Sequence, residues 1–147
     1  MRISFVLPVL FSWFFTIACS PPPAPCRARL APLPSGGVHP VAGQLAAYNA
    51  RHIDLFVSFF HPEVELFVQG ESVPFVRGAA DLRETYSKMF RASPQLRCEV
   101  VRRIVAGDFV LDEERVTGLR GGPPVHAVAI YEMKHGKIVK AWFIRGR

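Results

Sequence analysis

The sequence predicts an α+β domain in which helices pack on one face of a mostly antiparallel sheet. Apolar residues recur at helical spacing in the first half of the domain, and strand-like alternation fills most of the second half. Clusters of glycine, proline, asparagine and aspartate separate these segments. The predicted order of elements is α-α-β-β-α-β-β-β-β, with helices backing the sheet.

Three helices are predicted between residues 39 and 91. The first has Val41, Leu45 and Tyr48 on one face. Asn49 is expected to cap the second, which ends at Pro62, because proline cannot continue a helix. The apolar stripe of the second helix is Ile53, Phe56, Val57 and Phe60. The third helix follows Gly78 and covers residues 79–91.

Six strands are predicted around and after the third helix. Residues 63–69 and 73–77 alternate, or nearly so, on either side of a turn at 70–72, which indicates a hairpin. The remaining strands cover residues 95–106, 109–119, 125–133 and 138–144, with turns at 107–108, 121–124 and 135–136.

The first 18 residues have the pattern of an export signal. One charge, Arg2, precedes an apolar run that is shorter than the ~20 residues needed to cross a bilayer. The segment FTIAC at 15–19 resembles the lipobox of bacterial lipoproteins. This resemblance implies cleavage before Cys19, acylation of Cys19, and, with Ser20 next, sorting to the outer membrane or cell envelope. Cleavage after Ala18 into the periplasm or medium, and an uncleaved anchor, are the alternatives.

A proline-rich segment connects this signal to the domain. The stretch SPPPAPCRARLAPLPSGG cannot form a regular hydrogen-bonded backbone, so residues 19–38 are expected to form an extended tether. The domain then covers residues 39–147. With Cys19 acylated, Cys26 and Cys98 remain. An oxidising envelope permits a disulfide between them, and two separate thiols are the equal alternative.

The net charge of +6 does not indicate a nucleic-acid partner. The arginines of the domain are scattered, and only Arg102 and Arg103 are adjacent. No aromatic-rich basic stripe accompanies them, and an export signal places the chain away from nucleic acid. We expect the basic residues to form a solvated surface near an anionic membrane.

Two segments carry a family resemblance. YNARHIDLFVSFFHPEVELF at 48–67 and AIYEMKHGKIVKAWFI at 129–144 resemble the SnoaL-like branch of the nuclear transport factor 2-like superfamily. The resemblance implies a cone-shaped fold, in which a curved sheet wraps a long helix and leaves a pocket at the wide end. It covers isomerases, cyclases, dehydratases and non-enzymatic modules, so the fold alone does not assign a reaction.

The resemblance also locates the positions used by the steroid isomerases of the superfamily. Their proton-abstracting Asp falls at Val68 or a neighbour, their Tyr falls near Gln44, and their protonated Asp falls near Ile130. Valine and isoleucine cannot exchange a proton, and a neutral glutamine is a weak substitute. The catalytic set of the isomerases is therefore absent.

Asp112 and His126 are the candidate catalytic residues, with Glu114 or Tyr48 in support. If the strands return as a hairpin centred on Gly121-Gly122, Asp112 and His126 share one face of the sheet and point into the pocket. Burial would shift the pKa values of both groups. The alternatives are that Asp112, within LDEER, marks an exposed edge and that His126 caps a strand.

No metal or cofactor is expected. The five histidines show no His-x-His or His-x-x-x-His spacing, and no Cys-x-x-Cys occurs. No phosphate-binding loop or nucleophile elbow is present either.

An excess of aromatic residues favours a pocket for a small apolar ligand. The residues expected to line it are Tyr48, Phe56, Phe60, Val68, Asp112, Ile130 and Trp142. The expected function is non-catalytic binding of such a ligand, or an interaction role. The alternatives are an acid–base enzyme of the isomerase, cyclase or dehydratase type acting on a small hydrophobic substrate, and a structural dimerisation module. Members of the superfamily often pair sheet to sheet, so a homodimer is expected through a row of apolar residues, namely Ala127, Ala129, Tyr131 and Met133.

Replacing Cys19 by alanine tests the lipid anchor. The thioether and amide linkages of a lipoprotein need this cysteine, so the Cys19→Ala variant should lose membrane retention in cell fractionation. A variant that still sediments with the membranes would count against lipidation.

Overall fold

The computed structural model describes residues 39–146. The predicted signal peptide, the tether, Cys19 and Cys26 lie outside these residues. The α+β class and the predicted order of elements are confirmed. The helices are α1 (Pro40–Ala50), α2 (Ile53–Ser58) and α3 (Gly78–Arg91). The strands are β1 (Phe60–Val68), β2 (Val76–Arg77), β3 (Arg97–Ala106), β4 (Phe109–Thr117), β5 (Val125–Lys134) and β6 (Lys137–Arg145), with a short 3₁₀ turn at Leu119–Gly121 before β5.

The six strands form one sheet in the order β2-β1-β6-β5-β4-β3. All neighbouring strands are antiparallel except β1 and β6, which are parallel. The last strand of the chain therefore lies in the middle of the sheet, between β1 and β5. The long strands β3 to β6 form most of the sheet, and β2 contributes only two residues at one edge.

The boundary between the first two helices differs from the prediction. Asn49 does not cap α2. Its side chain instead donates to the carbonyl of Cys98 at 2.9 Å and accepts from the amide of Cys98 at 2.8 Å. His52 caps α2 with its imidazole, and Pro62 lies inside β1 rather than at the end of a helix. Proline is tolerated there at the irregular start of β1, where the pairing with β6 shifts in register.

A cluster of aromatic rings holds the helices on the sheet. Phe56 is 1% exposed, and its ring centroid lies 4.6 Å from that of Tyr86 and 4.9 Å from that of Phe60. Tyr48 and Phe90 pack edge-on against each other at 5.5 Å. Rings from α1, α2, α3 and β1 thus meet in one core. Tilted and edge-on ring pairs of this kind add to the stabilisation from buried area.

The sheet has two chemically different faces. Residues paired across neighbouring strands share a face. Asp112 pairs with Ala129 and Glu114 pairs with Ala127, and all four are buried on the face that the helices cover. We call this the inner face and the opposite one the outer face.

The predicted register between β4 and β5 is wrong by one residue. A hairpin centred on Gly121-Gly122 would place Asp112 opposite Ile130, but Ile130 pairs with Leu111, and His126 pairs with Arg115. A slip of one residue moves a whole strand's side chains to the other face. The turn before β5 sets the register: Gly118 has a φ of 69°, and a Cβ there would collide with the carbonyl group of Gln95. This turn cannot be deduced from a Gly-Gly-Pro-Pro sequence.

The apolar row predicted for dimerisation is also on the wrong face. Ala127, Ala129 and Tyr131 are buried on the inner face. A different row crosses five strands of the outer face through paired positions, namely Ile104, Leu111, Ile130, Trp142 and Phe67. We call it the outer row. Within residues 39–146, no helix combines the length and the apolar character needed to span a bilayer.

Candidate functional site

A cavity of about 120 Å³ lies between the helices and the inner face of the sheet. Its walls are mostly apolar, which suits a small organic ligand. Helices α1 and α3 and five strands contribute side chains, and Phe75 and Leu119 come from the connections beside it. The polar groups in its wall are few: Gln44, Tyr48, Cys98, Glu114, Tyr131 and Arg145.

Three buried polar side chains form a directed chain of hydrogen bonds in the cavity wall. The amide nitrogen of Gln44 donates to the hydroxyl of Tyr131 at 3.2 Å. The hydroxyl of Tyr131 donates to Oε1 of Glu114 at 3.1 Å. All three residues are at most 6% exposed. Because Gln44 supplies a donor to the tyrosine oxygen, the single hydroxyl proton of Tyr131 is directed to Glu114.

The second carboxylate oxygen of Glu114 faces the cavity. Among the described residues, no nitrogen or oxygen donor bonds to Oε2, and no fully buried polar side-chain atom lacks a partner. Besides Tyr131, the thiol of Cys98 is a hydrogen-bond partner of this carboxyl group. Oε2 is therefore accessible, and Glu114 is among the cavity-lining residues. This oxygen is a point at which a bound molecule can interact with the buried carboxyl group.

The environment of Glu114 changes its pKa. Burial is the main cause, and it raises the pKa to about 7; the hydrogen bond from Tyr131 opposes this shift, and the nearby Asp112 reinforces it. Glu114 therefore exchanges a proton in the neutral range. Burial also raises the pKa values of Tyr48, Tyr131 and Cys98, so these groups keep their protons there.

Asp112 is fully buried but does not line the cavity. Its two oxygens receive the guanidinium of Arg103 in a bidentate pair, with Nε–Oδ1 at 2.7 Å and Nη2–Oδ2 at 2.6 Å. Its side chain has no exposed area, whereas that of Arg103 is 25% exposed. A carboxylate held in this way is neutralised and fixed. The predicted placement of Asp112 on the inner face is correct, but its partner is an arginine rather than a histidine.

The predicted pair of Asp112 and His126 does not form. His126 lies on the outer face, its side chain is 63% exposed, and its Nε2 lies 3.0 Å from Oε1 of Glu113. The sheet separates the two side chains, as the register requires. Glu114, expected only in support, is the carboxyl group that reaches the cavity.

Two of the residues predicted to line the pocket do so. Tyr48 and Val68 contribute to the cavity wall. Phe56 and Phe60 instead belong to the aromatic core, and Asp112 is held in its ion pair. Ile130 and Trp142 pair with each other in the outer row and cannot reach the cavity.

The sequence reasoning missed the roles of Gln44, Arg103 and Tyr131. Tyr131 was placed on the outer face because of the one-residue error in register. Gln44 carried a signal, since the family resemblance locates the isomerase tyrosine near it, and Gln44 does line the cavity. Nothing in the sequence indicated that Arg103, next to Arg102, turns inward to Asp112, because a bulge between Val100 and Arg102 changes the alternation of β3.

Comparison with known proteins agrees with this architecture. The model of the SnoaL-like domain matches residues 41–141, which is more than half of the chain. The chain belongs to the SnoaL-like domain family. No curated protein matches the chain significantly.

Solved structures share the fold of this SnoaL-like domain. An uncharacterised cystatin-fold protein from Novosphingobium aromaticivorans is 26% identical, with 75% of this chain and all of that chain covered and a TM-score of 0.68. A candidate polyketide cyclase from Sinorhizobium meliloti is 20% identical, with 73% and 94% covered and a TM-score of 0.63. A candidate ketosteroid isomerase from Kribbella flavida is 15% identical, with 74% and 76% covered and a TM-score of 0.65.

Glu114→Gln should remove a pH dependence of stability. The pKa of Glu114 in the folded protein is about 7, against an ordinary value of 4.5, so the folded state holds a proton that the unfolded chain has released. The resulting stabilisation is complete below the ordinary pKa and is lost as the pH rises through the pKa of the folded protein. Between these limits, the free energy of unfolding of the wild type should fall by up to about 3 kcal/mol relative to that of Glu114→Gln.

Urea unfolding at a series of pH values measures this difference. Glu113→Gln, on the outer face of the same strand, is the matched control. Its free energy of unfolding should fall with rising pH as that of the wild type does. If the free energy of unfolding changes with pH in the same way for Glu114→Gln and the wild type, Glu114 does not hold the extra proton.

Proposed function

We propose that the domain binds a small, mostly apolar molecule in the cavity and holds it through Oε2 of Glu114. The observation that carries this proposal is the accessible carboxylate oxygen in an otherwise apolar wall. A buried carboxyl group with an unused oxygen is costly unless a proton, water or ligand completes its interactions. A ligand with one polar group and an apolar body meets both requirements of the cavity.

The remaining cavity wall supports this function. Leu45, Val68, Met89, Val116 and Phe143 supply apolar contact, and Tyr48 supplies a hydroxyl group. Gln44 and Tyr131 hold the carboxyl group of Glu114 in one orientation through their hydrogen bonds. A polar group that is fixed before binding loses little entropy when the ligand arrives.

Filling the cavity should abolish binding. Ala127 lines the cavity, so Ala127→Leu places additional carbon atoms in the ligand space. The adjacent Val128 lies on the outer face, and Val128→Leu is the matched control. Protein purified natively and then denatured should release a small apolar compound, detected by mass spectrometry, from the wild type and Val128→Leu but not from Ala127→Leu.

Circular dichroism checks that both variants are folded. The same compound in equal amount from a folded Ala127→Leu variant would contradict binding in this cavity. A wild-type protein that releases nothing and also fails to bind small apolar probes in titration would favour the structural role.

A second candidate function is acid–base catalysis, and the pKa of Glu114 favours it. A carboxyl group with a pKa of about 7 can accept and return a proton near neutral pH. In the ionised form, Oε2 can take a proton from the carbon next to a ketone. The electron pair of that C–H bond forms the C=C bond of an enolate, and the π pair of the C=O bond moves to the carbonyl oxygen. The hydroxyl of Tyr48, which also lines the cavity, is available to donate a hydrogen bond to that oxygen.

Hydrogen–deuterium exchange tests this reaction without knowledge of the substrate. The wild type should accelerate exchange of the protons beside the carbonyl of cyclohexanone in heavy water, followed by NMR, and Glu114→Gln should exchange at the buffer rate. Glu113→Gln serves as the control and should retain the acceleration. Equal rates with the wild type and Glu114→Gln would exclude Glu114 as the base for this ketone.

The cellular setting rests on the sequence alone, whereas the homodimer rests on the family resemblance and on the strand pairing. Residues 1–19 support an exported lipoprotein, held at the envelope by the tether, with a secreted form as the alternative. The outer row, rather than the row first expected, is the surface that supports a homodimer. A structural dimerisation role would use this outer row and not the cavity, so it is compatible with ligand binding.

A further inference from the structure

Within residues 39–146, the carboxylate in the cavity forms no salt bridge. Arg103, on the inner face, forms both of its short contacts with Asp112. In the described part of the chain, no salt bridge reaches Glu114. Tyr131 supplies a hydrogen bond but no positive charge. The two buried carboxyl groups of β4 therefore differ in one respect, namely that only Asp112 has a counter-ion.

The hydrogen bonds around Glu114 favour its ionised form. The amide of Gln44 donates to Tyr131, and Tyr131 donates to Oε1, so both protons point along the chain to the carboxylate. Donated hydrogen bonds lower the energy of the charged form, whereas burial raises it. A positive charge brought to Oε2 would add the missing interaction and complete the ionised state.

The walls beside Glu114 are suited to a cation. The rings of Phe75, Phe143 and Tyr131 form a continuous series, with centroids 6.1 Å and 6.4 Å apart, and Tyr48 lines the cavity from α1. The faces of aromatic rings attract ammonium groups, and the attraction increases when water is excluded. A carboxylate with aromatic walls is the arrangement that binds alkylammonium ions.

One positively charged side chain, Arg145, lines the cavity and would repel a bound cation. It lies near the end of β6, where its side chain is exposed to solvent. Water and salt screen an exposed guanidinium, so its repulsion of a cation inside the cavity is weak. The other charged or titratable groups around Glu114 are Tyr48 on α1, Tyr86 on α3, Cys98 and Arg103 on β3, Asp112 on β4 and Tyr131 on β5.

We propose that the cavity binds a small apolar amine as its ammonium ion, with the charge at Oε2 of Glu114 and the hydrocarbon part against the aromatic and aliphatic walls. This inference rests on the proposed binding function and names the chemical class of its ligand. The competing class is a neutral carbonyl compound, which would accept a hydrogen bond from protonated Glu114. The two classes respond to pH in opposite directions.

Three probes of similar size separate the classes: cyclohexylamine, cyclohexanol and cyclohexanone. Isothermal titration at about pH 8, where Glu114 is ionised, should show cyclohexylamine binding to the wild type at least about tenfold more tightly than cyclohexanol. Its affinity should fall by about tenfold for each pH unit below the pKa of Glu114, because protonation removes the carboxylate.

Two variants locate the effect. Glu114→Gln preserves the shape of the side chain and removes its charge, so it should bind cyclohexylamine and cyclohexanol about equally. Glu113→Gln, on the outer face, should retain the preference of the wild type. The pH profile of the wild type needs no variant and tests the proposal independently of how Glu114→Gln folds.

Several results would overturn the proposal. If cyclohexanol or cyclohexanone binds as tightly as the amine at about pH 8, the cavity does not select ammonium ions. The amine proposal would then be wrong, and the proposed binding function would stand. Cyclohexanone affinity that rises as the pH falls would identify the neutral carbonyl class instead. No measurable binding of the amine would reject the amine proposal, and the compound released by denaturation would then decide on the binding function separately.

Discussion

The hydrogen bond from Tyr131 to Glu114 is the interaction on which the site depends. A carboxyl group that is 6% exposed needs partners, and the structure supplies the hydroxyl of Tyr131 and the thiol of Cys98. Tyr131 is itself fixed by Gln44 of α1, so the helix and the strands β4 and β5 are joined through three side chains. The same chain of hydrogen bonds orients Oε2 towards the cavity. The same three side chains therefore hold α1 on the sheet and present a polar group to a ligand.

The two buried carboxyl groups of β4 show how small differences in surroundings separate structure from function. Asp112 and Glu114 are two residues apart and point to the same face, yet Asp112 has a bidentate arginine and Glu114 has a tyrosine. The bidentate arginine neutralises Asp112, and this pair does not line the cavity. Glu114 retains one free oxygen and a pKa of about 7. Glu114 is therefore the carboxyl group that can accept a ligand, and the site centres on it.

The fold separates its apolar residues between two uses. The inner face carries the core, with Phe56 and its neighbouring rings, and the cavity lies beside this core. The outer row carries Trp142, Ile130 and further apolar side chains that no helix covers. Aromatic content alone does not distinguish the two, since Trp142 and Phe143 are consecutive and face opposite ways. A single residue in register decides whether an aromatic side chain lines the cavity or the outside of the sheet.

The sequence by itself determined the class, the order of the elements and the membership of the family. Helical spacing, strand alternation and turn residues are local patterns, and local patterns are sufficient to predict which segments become helices or strands. It also showed that the isomerase positions hold residues such as Val68 that cannot exchange a proton. Only the tertiary structure decided which polar side chains meet. The turn at Gly118 set the register of β5, which moved His126 out and Tyr131 in, and the bulge in β3 turned Arg103 towards Asp112. These are long-range consequences of backbone geometry, and no spacing within one strand records them.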